Sequence, residues 1–345
     1  MKKILAILLA AMMLLALAAC GTTNDTTTEP PAATDPAETE PAATEPADDT
    51  AGETYVVGIC QQMTHVALDA ATQGFKDALA ELLGADAVTY EEGNAGGDQN
   101  NCVTIVDGLV SEGVDLILAN ATWPLQAAAS ATGEIPVLGT SITDYATALN
   151  LEDWTGTIGN NISGTSDLAP LDEQAAMIQE LFPDAETVGL LYCSGEANSV
   201  YQIETIRGYL EDMGYTCEAY AFTDVNDLSS VTQTACDGSD VIYIPTDNTA
   251  AANTETIANV VLAAGVPVVA GESGICSGCG VATLSIDYYD LGYTTGEMAA
   301  KILTGEADVT TMAVQYAPNV TKMYNAANCE ALGLTMPEDY VAIEG

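Results

Sequence analysis

From about residue 54 onward the chain alternates short apolar runs with amphipathic stretches. Strand candidates are Tyr55 to Ile59, Ala87 to Tyr90, Val114 to Ala119, Ile135 to Gly139, Thr187 to Tyr192, Cys217 to Phe222, Val241 to Pro245, Val266 to Ala270 and Val281 to Ile286. Most are unbroken Val, Ile and Leu runs, the pattern of parallel strands covered on both faces. Between them, Leu68, Ala71, Phe75, Ala78, Leu79 and Leu82 recur at helical spacing until Gly84 stops the element. Strand and helix in alternation predict an α/β fold with doubly wound parallel sheets.

The pattern then restarts. Gly113 to Thr122 (GVDLILANAT), an Ala-rich helix and Ile135 to Gly139 (IPVLG) parallel Gly238 to Asp247 (GSDVIYIPTD), a second Ala-rich helix and Val266 to Ala270 (VPVVA). Aligned in this way, Thr122 falls opposite Asp247. A repeat at about 125 residues predicts two similar α/β lobes, not a short solenoid unit. Ligands of such sheets sit beyond the carboxyl ends of the strands, where helix N-termini also point, so two facing lobes make a cleft.

The N-terminus reads differently. Lys2 and Lys3 precede an apolar run from Ile4 to Leu17, too short to span a bilayer comfortably, so residues 1–19 are expected to be an export signal. Leu17 to Gly21 (LAACG) resembles the bacterial lipobox, which would make Cys20 a diacylated mature N-terminus; an ordinary signal peptide with a chance Cys is the alternative. Residues 20–53 are mostly Thr, Pro, Ala and Glu, cannot bury enough surface to offset their entropy, and are expected to form a lipid-anchored disordered linker. No later segment has eighteen uninterrupted apolar residues, so the lipid would be the membrane anchor.

Charge narrows the partners. Six Lys and Arg stand against fifty Asp and Glu, a formal −44. Such a surface repels phosphate backbones, which excludes nucleic acid as a partner. There is no GxxxxGK[ST] loop for a nucleotide, no GxSxG elbow for a hydrolase and no nucleophile set beside the single His65. Cys276 and Cys279 have CxxC spacing, but no second pair or His pair completes a zinc site. Placed in a Gly-rich turn, they are expected to be a structural disulfide or two idle thiols. No metal, cofactor or catalytic residue is expected, and the chain is not read as an enzyme.

Several strings carry a more specific likeness. Ala67 to Ala70 (ALDA), Gly74 to Leu79 (GFKDAL), Asn94 to Gln99 (NAGGDQ), Val114 to Ile117 (VDLI), Leu190 to Ser199 (LLYCSGEANS), Pro245 to Asn248 (PTDN) and Ile286 to Gly292 (IDYYDLG) resemble the ABC-transporter substrate-binding lipoproteins that serve tryptophan and tyrosine uptake. The likeness runs from about Tyr55 to about Lys322. It implies the type I periplasmic-binding-protein fold, with a ligand clamped between two lobes joined by three crossovers near Ile162, Ile286 and Thr311. The N-terminal lobe would then hold 54–161 plus 287–311, and the C-terminal lobe 162–286 plus 312–345.

A free amino acid brings an ammonium and a carboxylate. With so few cations, the carboxylate must meet neutral donors and helix N-termini. Asn198 and Ser199 stand where a strand ends and a helix opens, and Thr122 and Ser166 add hydroxyls. For the ammonium, Asp247 and Asp287 sit at strand ends. Asn248 and Thr64 complete the expected contacts, and Trp123 is placed to stack on an aromatic ligand. Asp247, Asn248, Asn198 and Ser199 also suit helix caps, Asp287 a hinge brace and His65 a polar loop. The expected molecule is a monomer, lipid-anchored on the outer face of the cell membrane. It would capture an aromatic amino acid by hinge closure and pass it to an ABC permease with its ATPase subunits. A sugar or nucleoside receptor and a ligand-binding sensor are the alternatives.

Overall fold

The computed structural model describes residues 54–317 and 319–343. The expected signal (1–19), the Cys20 lipidation site and the linker (20–53) lie outside the described residues.

The strands are β1 (Tyr55–Gln61), β2 (Val88–Asn94), β3 (Leu116–Asn120), β4 (Val137–Ile142), β5 (Ile162–Ser166), β6 (Thr187–Cys193), β7 (Thr216–Phe222), β8 (Val241–Ile244), β9 (Val268–Ala270), β10 (Ala282–Ser285), β11 (Gln315–Tyr316), β12 (Thr321–Tyr324) and β13 (Val341–Ala342). The helices are α1 (Val66–Leu83), α2 (Gln99–Glu112), α3 (Thr122–Ala131), α4 (Tyr145–Leu149), α5 (Leu171–Leu181), α6 (Ala197–Asp212), α7 (Val225–Gly238), α8 (Asn248–Ala251), α9 (Thr254–Ala264), α10 (Ser273–Cys279), α11 (Tyr288–Leu303) and α12 (Ala326–Leu332).

They form two sheets, ordered β11-β5-β4-β3-β1-β2 and β13-β12-β10-β9-β8-β6-β7. The first is parallel throughout its described pairs. In the second, β12 runs antiparallel to β10. The cores β2-β1-β3-β4-β5 and β7-β6-β8-β9-β10 have the same order, so β3 corresponds to β8, as in the sequence repeat.

The unbroken apolar runs are explained by burial on both faces. Leu116 and Leu118 of β3 join Phe75 of α1 and Met298 of α11 in one core, whereas Ile117 and Ala119 join Val106 of α2 and Leu125 of α3 in another. Successive strand residues point to opposite faces, so a strand covered twice carries apolar residues at every position. Helices α1 and α11 approach so closely that a Cβ on Gly74 would meet the Tyr289 carbonyl and one on Gly292 the Ala71 carbonyl.

The chain leaves the first sheet after β5, through 167–170, returns between β10 and α11, and leaves again between β11 and β12. The first and third crossovers fall later than Ile162 and Thr311, because β5 and β11 belong to the first sheet. Ile162 to Ser166 (ISGTS) has almost no apolar signal. It is held instead by Tyr145 Oη, which donates to the Gly139 and Thr165 carbonyls at 3.0 and 3.1 Å, and by Thr165 Oγ1 at 2.8 Å from Thr295 Oγ1. Among the described residues, no helix is long and apolar enough to cross a membrane.

Candidate ligand-binding cleft

Segments at the carboxyl ends of strands in the two sheets come within hydrogen-bond distance of each other. His65, just before α1, places Nε2 3.2 Å from Asn248 Oδ1 at the start of α8, and Gln202 of α6 donates from Nε2 to Thr143 Oγ1 at 3.5 Å. Each bond joins one lobe to the other.

The first lobe's rim is strained. Ala121, which caps α3, holds φ 86° and ψ 172°, a region open essentially to glycine. Ser141, beside a register shift in β4, holds φ 57°. Backbone strain of this kind costs about 1–3 kcal/mol per residue and collects at ligand sites. The Ala121 turn brings Trp123 N to the Gln62 side chain, donating to Oε1 at 3.2 Å. Ala121→Gly relieves the strain and is expected to raise ligand-free stability by about 1 kcal/mol, read from a thermal melt.

Unpaired buried polar atoms lie at strand ends of both lobes and at the first crossover, with Ser239 Oγ and Thr283 Oγ1 unpaired elsewhere in the second lobe. Gln62 Nε2, Asn120 Oδ1, Ser141 Oγ, Asp167 Oδ1 and Asn198 Oδ1 are buried without a hydrogen-bond partner among the described residues. Buried polar atoms are nearly always satisfied, and each unmet one costs about 1–3 kcal/mol. The set offers an amide donor, a hydroxyl, two amide acceptors and one carboxylate oxygen.

That carboxylate, Asp167, sits at the first crossover. Its Oδ2 accepts from Tyr288 Oη at 2.9 Å, across the junction to α11. Burial pushes its pKa up to about 6, against the Tyr288 hydrogen bond that lowers it. Glu272 is also buried and caps α10 through the Gly274 and Ile275 amides; burial raises it to about 7.

Glu196 organises the second lobe. It is fully buried. Oε2 accepts from Asn248 N (3.0 Å), Asn248 Nδ2 (2.7 Å) and Asn198 Nδ2 (3.2 Å), while Oε1 accepts from Thr249 N (2.9 Å) and Thr249 Oγ1 (2.7 Å). The loop after β6 and the start of α8 are thereby tied together.

The expected contact residues divide. Thr122, Asn198, Ser199, Asp247 and Asn248 are buried at the facing strand ends. Asp247, however, accepts from Cys193 N at 2.7 Å and Ala250 N at 2.8 Å, so both its oxygens brace the lobe and cap α8; burial, then Glu196, raises its pKa to about 7. Ser166 donates to the Thr143 carbonyl at 2.9 Å and accepts from Leu168 N at 3.2 Å, which shapes the crossover. Thr64 is exposed and accepts from Asn94 Nδ2 at 3.1 Å. Asp287 is exposed and caps α11 at Asp290 N. Trp123 lines a groove between α2 and α3 with Val103 and Ala127, apart from the polar cluster, because the strained turn at Ala121 directs its amide and not its ring toward Gln62.

The residues missed from sequence are Gln62, Ser141, Asp167 and the organising role of Glu196. Glu196 lies within the quoted SGEANS string. Asp167 follows a strand without apolar periodicity and left no local signal.

Cys276 and Cys279 lie in the short helix α10, not in a turn. Both thiols are free and buried, with pKa values pushed up by burial. Among the described residues no cluster of His, Cys, Asp and Glu is arranged to hold a metal.

A family profile described as ABC transporter substrate binding protein matches residues 56–343. A protein of Clostridioides difficile (strain R20291) named tyrosine-binding protein is 31% identical over 253 residues, 73% of each chain. The solved structure of a Streptococcus pneumoniae ABC domain in complex with L-Trp is 33% identical, covers 83% of this chain and 97% of its own, and superposes with a TM-score of 0.79. The ligand-free, open structure of CD0873, a C. difficile substrate-binding protein with adhesive properties, is 31% identical over 84% of this chain and 99% of its own, with a TM-score of 0.65. Profile, relatives and the paired 2-1-3-4-5 sheets place this chain in the ABC transporter substrate-binding protein family, with the type I periplasmic-binding-protein fold.

Proposed function

We propose that this protein captures a free aromatic L-amino acid, tryptophan or tyrosine, between its lobes and delivers it to the permease of an ABC importer. The observation that carries this is the unpaired set at the cleft. Asp167 Oδ1 is a buried carboxylate oxygen suited to an ammonium, and Gln62 Nε2 with the Ser141 hydroxyl is suited to a carboxylate in a chain poor in cations. The aromatic preference rests on relatives described with L-Trp and as tyrosine-binding. Ligand contact would come from Asp167, Gln62, Ser141, Thr122 and Asn198, with Ser199, Asp247 and Asn248 holding the second lobe's wall.

Hinge closure would be driven by tighter binding to the closed state. The working form would be a monomer tethered through lipidated Cys20 to the outer face of the membrane. Purified protein lacking residues 1–20 should show its largest thermal shift with an aromatic amino acid, since ligand at one hundred times its Kd adds about 2.7 kcal/mol. A screen in which only sugars or nucleosides raise Tm would replace this ligand class. For the anchor, Cys20→Ser is expected to release the full chain from washed membranes, checked by fractionation.

A further inference from the structure

We propose that His65 and Asn248 form a latch across the mouth of the cleft, which holds the closed lobes together and sets how long a ligand stays, with His65 acting as a positioning residue and not as a ligand contact. The inference rests on the hinge-closing function proposed above and adds a residue-level device to it.

The argument begins with the polarity of one amide. Asn248 Nδ2 donates to Glu196 Oε2 at 2.7 Å, and the Asn248 backbone N–H donates to the same oxygen at 3.0 Å. The amide therefore cannot rotate its NH2 toward the first lobe without breaking a bond to a buried carboxylate. Its Oδ1 is left facing His65 Nε2 at 3.2 Å. Two acceptors do not bond, so His65 must carry its proton on Nε2 and donate.

Both partners stand on stiff elements. The His65 carbonyl accepts from Asp69 N at 3.0 Å and opens α1, which is packed without Cβ clearance against α11, the helix that starts at the middle crossover. Asn248 opens α8, capped by Asp247 and held by Glu196. Opening the hinge separates these two points and breaks the bond, so the bond counts only in the closed state. An interaction present in one state alone shifts the equilibrium by its own free energy. The groups facing the imidazole agree with a neutral donor. Burial lowers its pKa, and the opposing pull of Asn248, Glu196 and Asp69 does not overcome it.

The chain has a single histidine, so tag-free protein shows one pair of imidazole nitrogen resonances. With L-tryptophan or L-tyrosine present, the expected spectrum at neutral pH is that of the Nε2–H tautomer, titrating below the ordinary value near 6.5. Asn248→Ala should return it to a pair of exchanging tautomers, because the acceptor that fixes the proton on Nε2 is gone. A ring unmoved by Asn248→Ala overturns the latch, whether or not either amino acid binds. In stopped-flow measurements, His65→Ala should raise the dissociation rate about three- to tenfold and leave the association rate within twofold. His65→Gln, which keeps a neutral donor at similar reach, should restore slow release. If His65→Gln behaves as His65→Ala, or if the loss falls on association, His65 is not a latch donor. Absence of a thermal shift with any amino acid overturns the proposed ligand instead.

Discussion

Asp167→Asn is expected to weaken binding of L-tryptophan or L-tyrosine by at least a hundredfold while making the ligand-free protein more stable. Asp167 is 3% exposed, one oxygen accepts from Tyr288, and the other has no partner. A ligand ammonium brought to Oδ1 is itself stripped of water, and removing one member of a buried charge pair costs about 3–5 kcal/mol. Asn keeps the size and the acceptor but not the charge. Calorimetric titration measures the loss, and a variant that binds as tightly as the parent places the ammonium elsewhere.

The stability half follows from linkage. The folded pKa, about 6, lies above the ordinary value of 3.8. Between these values the folded chain holds more protons than the unfolded one, so this residue's contribution falls as pH rises from about 4 to about 6 and stays low above that. Asn removes the ionisation, and the gain at pH 7 is about 1–3 kcal/mol. Binding moves the other way: an ammonium favours the ionised carboxylate. Affinity of the parent should therefore be full above about pH 6 and fall toward tenfold per unit below it, whereas the Asn variant should be nearly flat. Higher Tm with lost binding and a lost pH slope is a signature that mere misfolding does not produce.

Glu196→Ala is expected to be the most destabilising of these substitutions. It removes the acceptor for the backbone amides of Asn248 and Thr249 and for three side-chain donors, all against a fully buried carboxylate. Each buried donor left unmet costs about 1–3 kcal/mol, and with partial relaxation a total of about 3–5 kcal/mol is reasonable. At about 2–4 °C per kcal/mol for a chain of this size class, Tm should fall by about 6–20 °C in differential scanning calorimetry. Asp224→Ala, which removes the exposed cap of α7, provides the control: a surface cap is worth about 1 kcal/mol. Equal losses in the two variants would mean that Glu196 is no organising centre.

The contrast between Asp247 and Asp167 shows what was legible. Asp247 stands out in sequence because it ends a strong apolar strand and matches Thr122 in the repeat, but both its oxygens are spent on its own lobe. Asp167 follows ISGTS, a strand held by hydroxyls and close packing, so neither periodicity nor composition marked it. Trp123 was singled out for its chemistry, yet its direction is set by a strained turn at Ala121 that no residue preference announces. His65 was noticed as the single histidine. Its partner lies 183 residues away and comes near only when the lobes meet.

The α/β class, the paired lobes, the strands covered on both faces and the family are legible in the order of residues along the chain. These follow from the period of apolar residues and from short local strings, which are properties of neighbouring positions. Which carboxylate is unpaired, where the chain crosses between lobes and which side chains join them emerge only in the folded chain. Those depend on hydrogen-bond accounts closed between distant segments, and a polar residue is free for a ligand only when the folded chain has left it without a partner.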